Sequence, residues 1–333
     1  MTALGRLGWF ALAALLLALA TGALRLAQYV HQPQAVGTVY LDVAPGTGPA
    51  RFAAALEEAG LGPWPLGTRL GHRLWGHPES LKAGRYVFSG PVRLVDVFAS
   101  VEAGRVEQVE VTLPEGLTAR EMAPLLERAG VTDGEAFAAL AHHPTSPSRW
   151  EVPGPSLEGF LFPDTYRFAR GVAAERVVDA MVGRFRAVAR ELEATGGGEE
   201  LGLLEWVTLA SIVEKEAGAP GEKPLVAAVF HNRLRQGMRL ESDPTVIYGL
   251  ESFDGNLRRA DLRRDTPYNT YTRPGLPPGP ICNPGRASLE AARHPAEVPY
   301  LYFVSRNDGT HAFSETYAEH RRNVDRFQRR RAR

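Results

Sequence analysis

The chain has one cysteine, Cys282, and three lysines, Lys82, Lys215 and Lys223, in 333 residues. A single thiol excludes an intramolecular disulfide framework without arguing against export, and its simplest place is packed in a loop. Nearly all positive charge is therefore arginine. Basic and acidic residues balance at 38 each, so the formal net charge is zero and nothing points to nucleic acid as a partner. The arginine-rich tail, residues 329–333, reads as a solvated end. The nine histidines are scattered, with no His-Glu-x-x-His and no Cys/His cluster at metal-ligand spacing. His142 and His143 are adjacent rather than one helical turn apart, which is poor geometry for chelation. There is no Gly-x-Ser-x-Gly elbow and no phosphate-cradling glycine loop. The expectation is thus no metal and no cofactor, which leaves carboxylate chemistry.

Long apolar runs are also scarce, with one exception. Residues 7–24, between Arg6 and Arg25, carry no charge. As a helix they span about 27 Å, close to the ~30 Å hydrocarbon core of a bilayer. Ala18-Leu19-Ala20 resembles a signal cleavage site, but the run is longer than a usual signal core. The favoured reading is a short cytoplasmic end (1–6), a retained single-pass transmembrane anchor (7–27) and an extracytoplasmic remainder, large enough for two domains.

From residue 36 to about 130 strands and helices alternate. Strands are expected at 38–43, 85–89 and 106–113, and helices at 46–60, 94–103 and 118–130. Six matches at a spacing of 70 residues, among them Gly46 with Gly116 and Leu56 with Leu126, hint at two similar strand-turn-helix units. The Pro/Ser-rich stretch 143–155 is the best candidate domain boundary. Beyond it the pattern predicts a long helix at 174–194, a glycine loop at 196–198, a helix at 224–236 stopped by Gly237, a hairpin over 300–314 and a closing helix at 315–326.

The most informative segment is residues 206–218, WVTLASIVEKEAG. At about 100° per residue, Trp206, Leu209, Ile212, Val213 and Glu216 share one stripe. Glu214 and Lys215 leave it on other sides, and Gly218 and Pro220 are placed to stop the helix. Apolar neighbours and the negative end of the helix dipole both favour a neutral Glu216, which suits a general acid. The competing reading is a last-turn glutamate whose head reaches water. Asp243 can cap the next helix, from Pro244, or belong to a site. Residues 266–285, TPYNTYTRPGLPPGPICNPG, hold six prolines and three glycines, so they form neither regular helix nor central strand. Tyr268, Asn269, Thr270 and Tyr271 in this stiff loop offer the aromatic faces and polar groups that recognise sugars. A rigid covering loop is the alternative. His311, on the last expected strand, either faces the site or is structural.

Several ordered blocks resemble the YceG-like family. They are residues 210–216 (ASIVEKE), 239–249 (RLESDPTVIYG), 268–271 with 275–279, and 294–296 with 300–303. Glu158-Gly159 with Phe162-Pro163-Asp164-Thr165 form a further block. The resemblance covers residues 157–324. A looser likeness in layout, with Pro45-Gly46-Thr47-Gly48, Lys82-Ala83-Gly84 and Pro114-Glu115-Gly116, extends it towards the N-terminus. It implies an α+β protein with an N-terminal transmembrane helix, a small LysM-like α+β module (36–112), a connecting segment (113–154) and a mixed α/β catalytic domain (155–333) with a helix-borne glutamate.

The implied activity is that of an endolytic lytic transglycosylase in the cell (inner) membrane. It would cleave MurNAc–GlcNAc bonds of nascent peptidoglycan strands to leave 1,6-anhydroMurNAc ends. Glu216 is implied as the catalytic residue, acid and then base; Tyr268, Asn269 and Tyr271 are read beside it as substrate contacts, and Asp243 and Glu158 as substrate contacts or as braces of the fold. Cell-wall synthases are implied as neighbours. The alternatives are a non-catalytic glycan-binding scaffold, and a hydrolase with Asp164, Asp243 or Glu158 as its second carboxylate at ~5 to ~9.5 Å.

Overall fold

The computed structural model describes residues 3–196 and 201–329. Gly197 and Gly198 of the expected glycine loop, and 330–333 of the arginine tail, lie outside the described residues. The chain divides into two units, Met1–Val109 and Glu110–Arg333. The division falls three residues before the end expected for the first module.

The first unit opens with helix α1 (Ala3–His31), whose stretch Gly8–His31 is long and apolar enough to cross a membrane. It continues past the expected end of the anchor at residue 27, and its Val30 is fully buried in the core of the unit. Strand β1 (Gln34–Val43) pairs antiparallel with β2 (Gly84–Val92), with Leu41 opposite Tyr86. Between them lie α2 (Pro49–Glu58) and α3 (Pro65–Trp75), and α4 (Leu94–Ala103) follows. Period-two alternation turns Leu41 and Val43 inward. Phe52 and Leu56 on α2, and Leu94, Val97, Phe98 and Val101 on α4, complete the core at helical spacing. Helix α3 was not foreseen: its glycines lower helix propensity and its leucines face outward.

Strand β3 (Gln108–Thr112) runs across the division into the second unit, where it pairs with β4 (Thr165–Ala169). Next come α5 (Ala119–Arg128), α6 (Gly134–His142) and the single turn α7 (Ser146–Arg149). Helices α8 (Ala174–Glu193), α9 (Leu203–Glu216) and α10 (Lys223–Arg235) build the interior with α12 (Arg286–Arg293). The short α11 (Asp243–Tyr248), the hairpin β5 (Tyr302–Ser305) with β6 (His311–Ser314), and α13 (Tyr317–Val324) complete it. Strands are short and paired in twos, so this unit is α+β with helices dominant, less sheet-rich than the mixed α/β domain expected.

Two expectations change here. Residues 143–155 form a packed corner inside the second unit, not a boundary: Trp150 is 6% exposed and its indole N–H donates to Asp179 at 2.8 Å. Helix α9 is buried on every side from Trp206 to Val213, so the single apolar stripe understated its burial. The 70-residue echo has a backbone counterpart. Gly46 and Gly60 bracket α2 at φ 74° and 74°, and Gly116 and Gly130 bracket α5 at 77° and 72°. Such turns need glycine because an L side chain is strained there.

Candidate active site

Helix α9 ends on Glu216. Ala217 already has extended geometry, while its N–H still reaches the Val213 carbonyl at 3.0 Å. Gly218 matters for close approach: a Cβ there would lie 2.4 Å from the Gly309 carbonyl oxygen. The β5–β6 hairpin turn therefore sits against the end of α9. The backbone N–H of His311, on β6, donates to Glu222 Oε1, and its Nδ1 lies 2.8 Å from Glu222 Oε2.

The Glu216 carboxyl is half-buried, and the Ser242 hydroxyl donates to its Oε1 at 2.6 Å. Burial is the main force pushing this carboxyl up to about 7, and the Asp243 charge adds to the rise. The Ser242 hydrogen bond and the charges of His311 and Arg233 work the other way. Among the described residues Oε2 has no hydrogen-bond partner within the protein, so it is the oxygen free to exchange a proton. Glu214, two residues earlier, faces inward. It accepts from Lys223 Nζ (3.1 Å), Ser288 Oγ (2.6 Å) and the Gly285 N–H (3.0 Å), which makes it a structural anion.

Opposite Glu216 lies the turn 239–245. Glu241 takes a positive φ of 52°, and Ser242, 1% exposed, N-caps α11. Asp243 is the first helical residue and not the cap expected of it. Its carboxylate is exposed and accepts from the Tyr271 hydroxyl at 2.7 Å. Arg233 braces the turn from α10: its guanidinium donates to the carbonyls of Leu240 and Leu301 and lies 3.2 Å from Glu241 Oε2.

The proline-rich loop plays two parts. Its first arm meets the site. Asn269, 0% exposed, donates to the Arg264 carbonyl and accepts the Tyr271 N–H, and so aims Tyr271 at Asp243. Thr270 Oγ1 accepts the Ser242 N–H at 3.0 Å. The second arm, from Gly279 to Gly285, runs through the interior. There Asn283 accepts the N–H groups of Gly159 and Leu161 and donates to Glu158 Oε1 at 2.6 Å.

Of the residues singled out from sequence, the fold gathers Glu216, Asp243 and Tyr271. Asn269, expected as a substrate contact, organises the loop from within and has no exposed surface. Glu158, expected beside it, is 1% exposed, and it accepts the Ala119 N–H that opens α5. Burial raises its carboxyl to about 7 as well. Tyr268 is half-buried, with its ring 4.8 Å from that of Tyr248. Of the three carboxylates considered as a hydrolase partner, Asp164 pairs with Arg184 at 2.8 Å and Glu158 is sealed. Asp243 alone of the three acts electrostatically on Glu216. Ser242, Arg233 and the His311–Glu222 pair were not assigned to the site from sequence. Ser242 had the signal of lying in the ordered block 239–249 and His311 that of its place on the last expected strand, whereas Arg233 and Glu222 lie in none of the blocks. Cys282 is buried, its thiol pushed well up by burial. Among the described residues no His, Cys, Asp and Glu group could hold a metal ion.

The family model described as the YceG-like family matches residues 41–326. An endolytic murein transglycosylase of Bacillus subtilis is 36% identical over 172 residues, covering 51% of this chain and 48% of the relative. One of Streptococcus pneumoniae is 27% identical over 321 residues, covering 86% of this chain and 58% of the relative. The chain thus spans about half the length of the curated relatives it matches. A solved structure of a YceG-like protein of Listeria monocytogenes aligns with a TM-score of 0.58 at 28% identity, over 86% of this chain and 98% of that one.

Proposed function

The chain belongs to the YceG-like family, and from that premise we propose that it is a membrane-anchored endolytic lytic transglycosylase acting on peptidoglycan glycan strands, with Glu216 as its catalytic acid and base. The observation that carries this reading is the state of Glu216. It is a half-buried carboxyl poised near 7, held through one oxygen by Ser242, with the other oxygen free. At neutral pH a large fraction is protonated, as a general acid requires. The names of the relatives supply the substrate class: they are endolytic murein transglycosylases.

In the proposed reaction Glu216 Oε2 gives its proton to the glycosidic oxygen between MurNAc and GlcNAc, and the C1–O bond breaks with its electron pair going to that oxygen. The resulting carboxylate, stabilised by the Ser242 hydroxyl, takes the proton of the MurNAc 6-hydroxyl as O6 bonds to C1. The 1,6-anhydro ring closes, the proton returns to Glu216 and no water is consumed. Attack from within the same sugar gains from proximity. Tyr271, fixed by Asp243 and Asn269, offers a sugar-facing ring at the rim. The first unit is read as a LysM-like module, and α1 anchors the chain with both units outside the cytoplasm, where cell-wall synthases would be its neighbours.

The influence of Asp243 on Glu216 keeps one other reading in play: a hydrolase in which Asp243 assists water or attacks C1. Mass spectrometry of products from purified peptidoglycan decides. Anhydro-muropeptides from the wild type and none from Glu216→Gln are expected. Products with ordinary reducing ends would establish the hydrolase, and unchanged function in Glu216→Gln would leave only a binding scaffold.

A further inference from the structure

Helix α3 is the odd element of the first unit. Trp64, Leu66, Leu70, Leu74 and Trp75 are 41–65% exposed, and they crowd into twelve residues. Single exposed apolar side chains are ordinary, but such a cluster marks a contact surface. The three leucines recur every fourth residue and so share one edge, with Arg69 and Arg73 exposed beside them.

The opposite side of α3 is committed to the membrane-crossing helix. Gly71 lies so close to α1 that a Cβ there would come within 2.4 Å of Val30 Cγ1. The Tyr29 hydroxyl accepts the Trp64 N–H at 3.2 Å and hydrogen-bonds Thr68 Oγ1 at 2.8 Å. Trp64 sits edge-on to Tyr29, and Trp75 edge-on to His31, at ring separations of 5.3 and 5.7 Å. Helix α3 is therefore clamped at both ends to the last turns of α1. With α1 across a bilayer, the end of the charge-free run sets the depth of those turns. The charge-free run ends at Leu24, and Tyr29 lies five residues further, about 7.5 Å of helix beyond the hydrocarbon edge. That is the headgroup layer, roughly 5 to 8 Å thick on each side of a bilayer.

We propose that α3 is an interfacial helix that seats the first unit on the bilayer surface beside its own anchor. The leucine edge enters the boundary between headgroups and acyl chains, Trp64 and Trp75 lie in the aromatic belt, and Arg69 and Arg73 reach lipid phosphates over apolar stems. Continuity with the membrane-crossing helix selects lipid as the occupant, and the proposal rests on α1 spanning the membrane. The unit is then docked, not swinging on a tether, which fixes the height of the chain above the bilayer at its first folded element. A groove of about 1080 Å³ shares Leu66, Arg69, Leu70 and Arg73 with the loop at Gly46 and Thr47, so a soluble glycan is the rival occupant.

The test uses the full chain in vesicles of phosphatidylcholine and phosphatidylglycerol. Single nitroxides are placed by Leu66→Cys, Leu70→Cys or Leu74→Cys, with Leu16→Cys reporting the span. Buried Cys282 stays unlabelled. The α3 labels are expected about 5–10 Å below the phosphates, rich in oxygen collisions and shielded from a water-soluble nickel chelate. If they collide with nickel as freely as a nitroxide in buffer while Leu16→Cys is shielded, the docking fails and the anchor stands. If Leu16→Cys is also open to nickel, the span fails and the docking with it. Shielding that appears only when soluble glycan chains are added overturns the proposal in favour of a polymer groove.

Discussion

Two carboxyl groups of the second unit, Glu216 and Glu158, are both pushed up to about 7, and for the same leading cause, burial. Their surroundings differ in kind. Glu158 is 1% exposed, and it is enclosed by the Ala119 N–H, the Asn283 amide and the Tyr248 hydroxyl. Glu216 is half-buried at a helix end, bound through one oxygen, with Asp243 and Tyr271 at the rim. A raised carboxyl pKa therefore does not itself mark catalysis. Access and an unused valence separate an acid that can give its proton away from one that holds the fold together.

The largest effect expected from this contrast is at Glu216. Glu216→Gln should lower transglycosylase turnover by about 10²- to 10⁴-fold while leaving the melting temperature near that of the wild type. Near-normal turnover on purified peptidoglycan would remove Glu216 from the chemistry. Glu158→Ala should do the reverse. It orphans the Ala119 N–H and opens a cavity, for a loss of about 3 kcal/mol, or very roughly 6–12 °C in melting temperature, with turnover largely kept below the transition. A variant as stable as the wild type but inactive would erase the distinction between the two acids.

Protonation offers a finer test. Folded Glu158 holds its proton up to about pH 7, whereas an unfolded glutamate releases it near 4.5. Between those values the folded state binds more protons, so stability falls as pH rises, by at most about 1.4 kcal/mol per unit. The contribution is full below 4.5 and lost above 7. Urea unfolding at several pH values should show this slope in the wild type and a flatter one in Glu158→Gln. An unchanged slope would mean that Glu158 is ionised in the folded protein. For Glu216 the same direction of shift governs activity: kcat/KM should hold on the acid side and fall as pH rises through about 7.

The smallest effects belong to the groups that tune Glu216. Ser242→Ala removes a bond that lowers its pKa, so the falling limb of the pH profile should move to higher pH, with turnover down about five-fold. Asp243→Asn removes a repelling charge, so that limb should move to lower pH with activity retained. A loss at Asp243→Asn as large as that at Glu216→Gln would instead mark Asp243 as a chemical partner and favour hydrolysis.

Much of the fold was legible in local pattern. Helix α4 and the 300–314 hairpin were expected where they stand, because periodic burial and a turn at Asn307-Asp308-Gly309 are local signals. Helices α3, α6 and α12 escaped, being short, and α3 is interrupted by Gly67 and Gly71. For the site, the helix-end position of Glu216 was readable from its neighbours in sequence. The sealing of Glu158 and Asn269 was not, because it depends on Asn283, Arg264 and Ala119, which local patterning cannot bring together.

By itself, the sequence determined the membrane-length apolar helix, the ordered blocks of the YceG-like family and a glutamate at the end of a buried helix. Those are properties of composition, spacing and period, carried by neighbours along the chain. Only the tertiary structure decided which carboxyl keeps an open side. Desolvation and hydrogen-bond satisfaction are set by whatever packs around a group. For Glu216 that is Ser242, Asp243 and His311, 26, 27 and 95 residues further along the chain. For Glu158 it is a closed shell from four separate segments, with Ala119, Tyr248 and Asn283 hydrogen-bonded to it and His142 Nε2 3.8 Å from its Oε2.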